Sequence, residues 1–316
     1  MQKENLKNKK VFLIINSYYI GDILLANSLV QNIKAIYKDS YVVMLTPPNM
    51  VDAAKYQDGV DDVIIWDRHG THHGWFNMFK FILNFPYKNI YAAFPIYSGD
   101  RAIILAFLLK AKYILGKRRN IIGIFLKNKY KINYYIFDGV QGRNISILSG
   151  ITKEKLKNYP IKINIPDVQS EICKIDENYI VICPTSSKAE KDMPIKDVCK
   201  IIESLKYKVV LLGKGETSKQ LSEFLQNKNY TNLIDLSNKT SFLELAKIIS
   251  LSKGCISVDT GSLHLACALN KPTIGVFYKN QNVLYKPDSK IYPNMFCDYD
   301  LTAEKITEKL NILINR

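Results

Sequence analysis

Residues 254–277 read GCISVDTGSLHLACALNKPTIGVF, and their order of types decides the fold. GCISV (254–258) is an apolar run that reads as a buried strand. Asp259-Thr260-Gly261-Ser262 interrupts it with small and polar residues. Ser262–Ala268 reads as a short helix, and PTIGVF (272–277) as the next strand. Strand, small-residue turn, helix and strand make one parallel βαβ unit. Asp-Thr-Gly-Ser also has the look of an aspartic protease motif, but such enzymes are all-β and pair two aspartates. Here the motif occurs once and runs straight into a helix. A turn that feeds a helix N-terminus instead suits an anion, because free N–H groups and the helix dipole favour phosphate. His264, three residues past Gly261, falls in the first helical turn and can lean back toward that anion.

The same rhythm extends in both directions. YIVIC (179–183) predicts a strand, 195–205 a helix, KVVLLG (208–213) a strand, and 216–226 and 242–251 two helices. Residues 302–314 close the chain as an amphipathic helix. In the first half VFLII (11–15), YVVML (41–45), DVIIW (62–66) and NIYAAF (89–94) predict strands, with helices over 21–37 and 100–110. NYPIKINIPDV (158–168) carries two prolines and reads as a linker. The expectation is α/β, with two Rossmann-like doubly wound domains, 1–165 and 166–316, the closing helix 302–315 packing back on the first. Two such domains would leave a cleft between the carboxyl ends of their strands, where ligands bind in such sheets.

At 316 residues, with 47% hydrophobic and 23% charged residues, the chain has the make-up of a globular protein of about two domains. No apolar run approaches the roughly 20 residues of a membrane-spanning helix. The apolar run at 11–15 is too short for the core of a signal peptide. Cys173, Cys183, Cys199, Cys255, Cys267 and Cys297 form no Cys-x-x-Cys pair and read as free thiols. A cytoplasmic protein is expected. The formal charge is +15, and residues 101–162 hold 14 basic residues against 2 acidic ones. Such a field attracts phosphates or anionic headgroups. Nucleic acid is not expected, since no zinc-finger spacing, RNP-like motif or recognition helix is present. Tyr134, Tyr135 and Phe137 alternate with isoleucine and read as strand core.

Further motifs follow predicted strands. Gly21-Asp22 opens a helix after strand 11–15, which places a carboxylate at a strand's carboxyl end, either as an N-cap or facing the cleft. Pro184-Thr185-Ser186-Ser187-Lys188 and then Lys191 bring hydroxyls and ammonium groups that suit a pyrophosphate. Gly213-Lys214-Gly215-Glu216 resembles the start of a dinucleotide fingerprint but lacks the third glycine, so a nicotinamide cofactor is disfavoured. Glu216 could instead contact a nucleoside. The spacing of His69, His72 and His73 does not specify a metal site.

Three stretches together resemble a known family. VFLIINSYYIGDILLANSLV (11–30) is similar to the opening strand, Gly-Asp and helix of the ADP-heptose:lipopolysaccharide heptosyltransferases, glycosyltransferase family nine. KDMPIKDVCKII (191–202) resembles their Lys-x-Trp-Pro segment. LIDLSNKTSFLELAKIISLSKGCISVDTGSLHLACALNKPTIGVF (233–277) resembles their most specific region. The likeness covers nearly the whole chain and is weakest over 65–160.

The resemblance implies a GT-B architecture with the acceptor on the first domain and the nucleotide sugar on the second. It implies inverting, metal-independent transfer of a heptose from an ADP-sugar to a lipopolysaccharide core hydroxyl, with no cofactor. By likeness Asp22 is the catalytic base. Ser186, Ser187 and Lys191 hold the diphosphate, Asp259, Thr260, Gly261 and His264 line the donor site, and Glu216 lies near the nucleoside. Arg101, Lys117, Arg118 and Arg119, from the basic stretch, are candidate contacts for an anionic glycolipid or oligosaccharide acceptor at the inner membrane surface. The chain departs from the family in three places. Asn16-Ser17-Tyr18-Tyr19 stands where the family often has an arginine, Met193 replaces the tryptophan, and Tyr278 replaces a glycine. Two other readings stay open: a transferase of the same fold using another nucleotide sugar for capsule or protein glycosylation, and a non-catalytic nucleotide- or glycan-binding protein.

Overall fold

The structure is a computed structural model and describes residues 6, 8–16, 19–96, 99–117, 121–175, 178–278 and 283–316. The chain divides into two compact units, Met1–Ile161 and Lys162–Arg316. The first runs β1 (Lys10–Ile15), α1 (Ile20–Leu25), α2 (Asn27–Ile36), β2 (Ser40–Thr46), α3 (Val51–Lys55), β3 (Asp62–Ile65), α4 (Gly74–Leu83), β4 (Ile90–Pro95), α5 (Gly99–Leu108), β5 (Tyr113–Ile114) and α6 (Gly139–Ser146). Its five strands pair in the order β3-β2-β1-β4-β5, all parallel. Val11, Leu13 and Ile15 point to one face of the sheet, where they share a core with Val43, Leu45, Trp66 and the inner side of α5. On the other face Phe12 meets the rings of Tyr37, Tyr91 and Phe94.

The second unit runs β6 (Tyr179–Cys183), α7 (Ile195–Ser204), β7 (Lys208–Leu211), α8 (Glu216–Gln226), β8 (Leu233–Asp235), α9 (Phe242–Leu251), β9 (Gly254–Val258), α10 (Gly261–Ala268), β10 (Thr273–Phe277), β11 (Met295–Tyr299) and α11 (Ala303–Ile314). Its six strands lie in the order β11-β10-β9-β6-β7-β8, again all parallel. Buried on both faces, β6, β9 and β10 are apolar almost throughout, as strands of a covered parallel sheet must be. In each unit the first strand is central and the chain winds outward to both sides. The order therefore reverses between β1 and β4, and between β6 and β9, and loops at such switch points bind ligands.

Four expectations are corrected. The helix expected over 21–37 is two helices, broken at Ala26. Gln57 Nε2 donates to the Ile23 carbonyl, which also accepts the Ala26 N–H, and Asn144 Nδ2 donates to the Leu25 carbonyl; side chains that insert bonds into the ladder bend a helix there. The alternating run 132–137 is not a strand. Tyr135 is exposed, and the Tyr134 hydroxyl is tied to the Gly116 carbonyl. The closing helix α11, expected on the first domain, commits its apolar face to the second: Ile306 and Leu310 share a core with Ile274, Val276 and α7. The segment around the histidines leads into α4, a helix that the sequence reading did not contain.

Candidate active site

Apart from Glu216, the candidate residues of the second unit lie just beyond β6 and β9, the neighbours at its switch point. β9 ends at Val258 and α10 begins at Gly261, so Asp259 and Thr260 form the whole turn. Thr260 is the N-cap in an extended conformation, with no side-chain bond into the helix. The first N–H groups of α10 thus have no partner within the helix. Asp259 is buried, yet it is paired: the Lys191 ammonium, from the loop after β6, donates to its Oδ2. The same ammonium sits 5.4 Å from the centroid of the Tyr285 ring, where a cation is attracted to the ring face.

His264 lies in α10 and is buried at 3% exposure. Burial pushes its pKa down to about 4, and the charge of Lys191 pushes the same way, against the carboxylate of Asp259. At neutral pH the ring is therefore uncharged and offers one N–H and one lone pair. The unfolded chain takes up this proton near 6.5 and the folded chain only near 4. The contribution of the neutral ring is complete above about pH 6.5 and is lost as pH falls toward 4, a span worth roughly 3 kcal/mol. Urea unfolding of His264→Gln and wild type between these pH values should show the wild type losing stability faster as the medium is acidified. Parallel curves would show that His264 is not held neutral.

The loop after β6 differs in detail from the expectation. Ser186 does not offer a free hydroxyl: its Oγ accepts from Lys188 N and donates to Lys188 O, closing a small turn. Its N–H is taken by Asp192 Oδ1 at 2.6 Å. Burial raises the pKa of Asp192, and bonds from Ser186 and Thr217 oppose that rise. Ser187 is exposed. The buried hydroxyl without a partner is that of Thr185. It faces Gly213 at the end of the next strand. A Cβ on Gly213 would meet the Ser218 hydroxyl at 2.4 Å and the Thr185 hydroxyl at 2.7 Å, so a side chain there would have to displace both. Gly215 has φ +102, which a side chain would strain. It is held on both sides by Asn238, whose Oδ1 accepts its N–H and whose Nδ2 donates to its carbonyl. Glu216 follows as the first residue of α8 and is exposed.

In the first unit Asp22 lies in the first turn of α1, after β1, and is 5% exposed. The helix that carries it is fixed by Gln57 and Asn144, as described above. Asn16 at the end of β1 and Thr46 at the end of β2 are buried, with polar side-chain atoms that have no partner. Arg101 is half-buried and donates to the Gly74 carbonyl at 3.2 Å, so it braces the loop before α4. Lys117 is exposed. Arg118 and Arg119 lie outside the described residues. His72 Nδ1 accepts from Asp67 N, and His69 Nε2 accepts from Arg68. Among the described residues no group of three or more His, Cys, Asp or Glu side chains could hold a metal ion. All six cysteines are free.

Sequence reasoning missed Thr185 as distinct from the serines beside it, and also Asp192, Asn238 and Tyr285. Asp192 stands in the Lys-Asp-Met-Pro segment already singled out, and its neighbour drew the attention. Asn238 and Tyr285 come from distant segments, and no spacing connects them to the site.

Two doubly wound parallel units, one after the other along the chain, are the architecture of the GT-B glycosyltransferases. The chain matches the glycosyltransferase family 9 (heptosyltransferase) profile over residues 106–310 and belongs to that family. The lipopolysaccharide core heptosyltransferase OpsX of Haemophilus influenzae is 21% identical over 308 residues, which span 94% of this chain and 86% of the relative. A glycosyltransferase family 9 crystal structure from Veillonella parvula superposes with a TM-score of 0.83 at 15% identity, over 97% of both chains. Heptosyltransferase WaaC of E. coli, solved with ADP, gives 0.75 at 16% identity, over 96% of this chain and all of the other.

Proposed function

We propose that the chain transfers a heptose from ADP-heptose to a hydroxyl of a lipopolysaccharide core acceptor, with inversion and without a metal ion, at the inner face of the cytoplasmic membrane. The relatives named above support the choice of donor and acceptor. The observation that carries the chemistry is the Lys191–Asp259 pair beside a neutral His264 and the first N–H groups of α10.

In this reading the acceptor hydroxyl attacks the anomeric carbon from the face opposite the nucleotide. Asp22 takes its proton as the new bond forms, a step worth about 10²–10⁴-fold. The bond from the anomeric carbon to the diphosphate breaks, and ADP leaves with the electron pair. Its growing charge is met by Lys191, by the N–H groups at the start of α10 and by the N–H of His264. Preorganised donors of this kind stabilise developing charge without reorganising at the moment of reaction. Glu216, at the end of the β7 loop, approaches the nucleoside. Ser187 and Thr185 offer hydroxyls in place of that of Ser186, which is already engaged with Lys188.

Calorimetry with ADP-heptose, UDP-sugars and GDP-sugars, followed by product analysis with a lipopolysaccharide core acceptor, tests this. Binding of the ADP-sugar at least about tenfold tighter than of the others is expected, since each base presents different partners to the same pocket. A preference for a UDP- or GDP-sugar would transfer the chain to another donor. Binding without turnover would make it a nucleotide-sugar binding protein.

A further inference from the structure

The sequence of α4 is GWFNMFKFIL, and most of its bulk faces outward. Trp75 is 55% exposed, Phe76 82%, Phe79 51% and Leu83 80%. These four fall within about 100° of one another around the helix. The inner side of the same helix is well seated. Met78 is buried, Phe81 and Ile82 pack on the core that contains Trp66 and α5, and the Phe81 ring meets His72 at 4.6 Å. The short 3-10 turn Ile121–Phe125, which also packs on α5, repeats the arrangement. Ile122 and Phe125 pack inward, Phe125 against Phe107 at 4.6 Å, while Ile121 and Ile124 are exposed. Neither outward row serves the core of the unit, and exposed apolar rows of this kind mark an interaction site.

We propose that α4 and the 121–125 turn enter the interfacial layer of an anionic phospholipid membrane. Charge selects this occupant. Residues 68–137 hold twelve Lys and Arg against the single acidic residue Asp100. Lys80 on α4, Lys88 just after it, and Lys127 and Lys129 beyond the turn are all exposed. Aromatic rings on a fixed helix, rimmed by lysines, match a headgroup layer with an acyl boundary below it. A second copy of this chain would set one basic rim against another, which like-charge repulsion opposes. The inference deepens the membrane location proposed above and is independent of the donor.

The chain contains its own probe. It has two tryptophans, Trp66 fully buried and Trp75 half exposed, so a change in emission on binding reports Trp75. With the full chain, vesicles of phosphatidylcholine plus phosphatidylglycerol should shift the emission to the blue, and brominated acyl chains should quench it. Pure phosphatidylcholine should bind much more weakly. Trp75→Phe should remove the shift yet still sediment with the vesicles. Phe76→Ser with Leu83→Ser, folded by circular dichroism, should lower partitioning roughly tenfold or more and leave nucleotide-sugar binding unchanged. Absence of binding by the wild type, or equal binding by the double variant, overturns the proposal. So does a dimer in sedimentation that the double variant dissolves, since the face would then belong to a second copy. If vesicle binding fails while ADP-heptose still binds, only the membrane inference falls. If the nucleotide sugar fails to bind and vesicle binding persists, the donor reading falls instead.

Discussion

Asp22→Asn is expected to lower kcat for sugar transfer by about 10²–10⁴-fold, the range for loss of a general base, while the dissociation constant of the nucleotide sugar stays within about twofold. Asparagine keeps the shape of the side chain and removes its capacity to accept a proton. The choice matters because Asp22 is almost fully buried in α1, so a larger change would confound chemistry with folding. Rate, donor affinity and thermal midpoint therefore have to be measured on the same preparation. Lost turnover with an unchanged midpoint identifies a group acting on the reaction. A midpoint that falls in step with activity would make Asp22 a structural residue of α1. Wild-type turnover by the asparagine variant would remove it from the mechanism.

The second large effect is at Lys191. Its ammonium is the partner of a buried carboxylate, Asp259. Lys191→Met leaves that carboxylate without a counter-charge, which typically costs about 3–5 kcal/mol. The bare carboxylate would also face the diphosphate with a like charge, so donor affinity should drop by about 100-fold or more. Adding Asp259→Asn to Lys191→Met separates the two roles. The double variant should regain most of the stability, because no uncompensated charge is left, and should still bind the nucleotide sugar weakly, because the cation is still missing. Urea unfolding and calorimetry on the four members of this cycle give the coupling directly. Donor binding restored in the double variant would show that Lys191 merely neutralises Asp259.

The alternation of elements in the second half was readable because it is local. GCISV, YIVIC and PTIGVF are apolar on both faces, as covered parallel strands require, and the turns after the first two carry Gly, Asp or Pro. The positions of Lys191, Asp259 and His264 were legible for the same reason: each sits one loop or one helical turn beyond such a strand. What failed to show was whatever depends on distant partners. The break at Ala26 comes from Gln57 and Asn144, which reach in from other segments. The 132–137 run alternates like a strand but finds no strand to pair with. The apolar face of α11 was visible, but its destination was not, because an amphipathic pattern names no partner. α4 was missed because its apolar residues point outward as well as inward, and no single stripe stands out.

Just beyond β7, a methyl group at position 213 would run into the hydroxyls of Thr185, after β6, and of Ser218, in α8, and would have to displace both. Any substitution in this corner of the second unit inherits that crowding. Positions 185, 213 and 218 form one unit of variation, to be randomised together in a library, since a side chain at 213 requires the side chains at 185 and 218 to move or shrink.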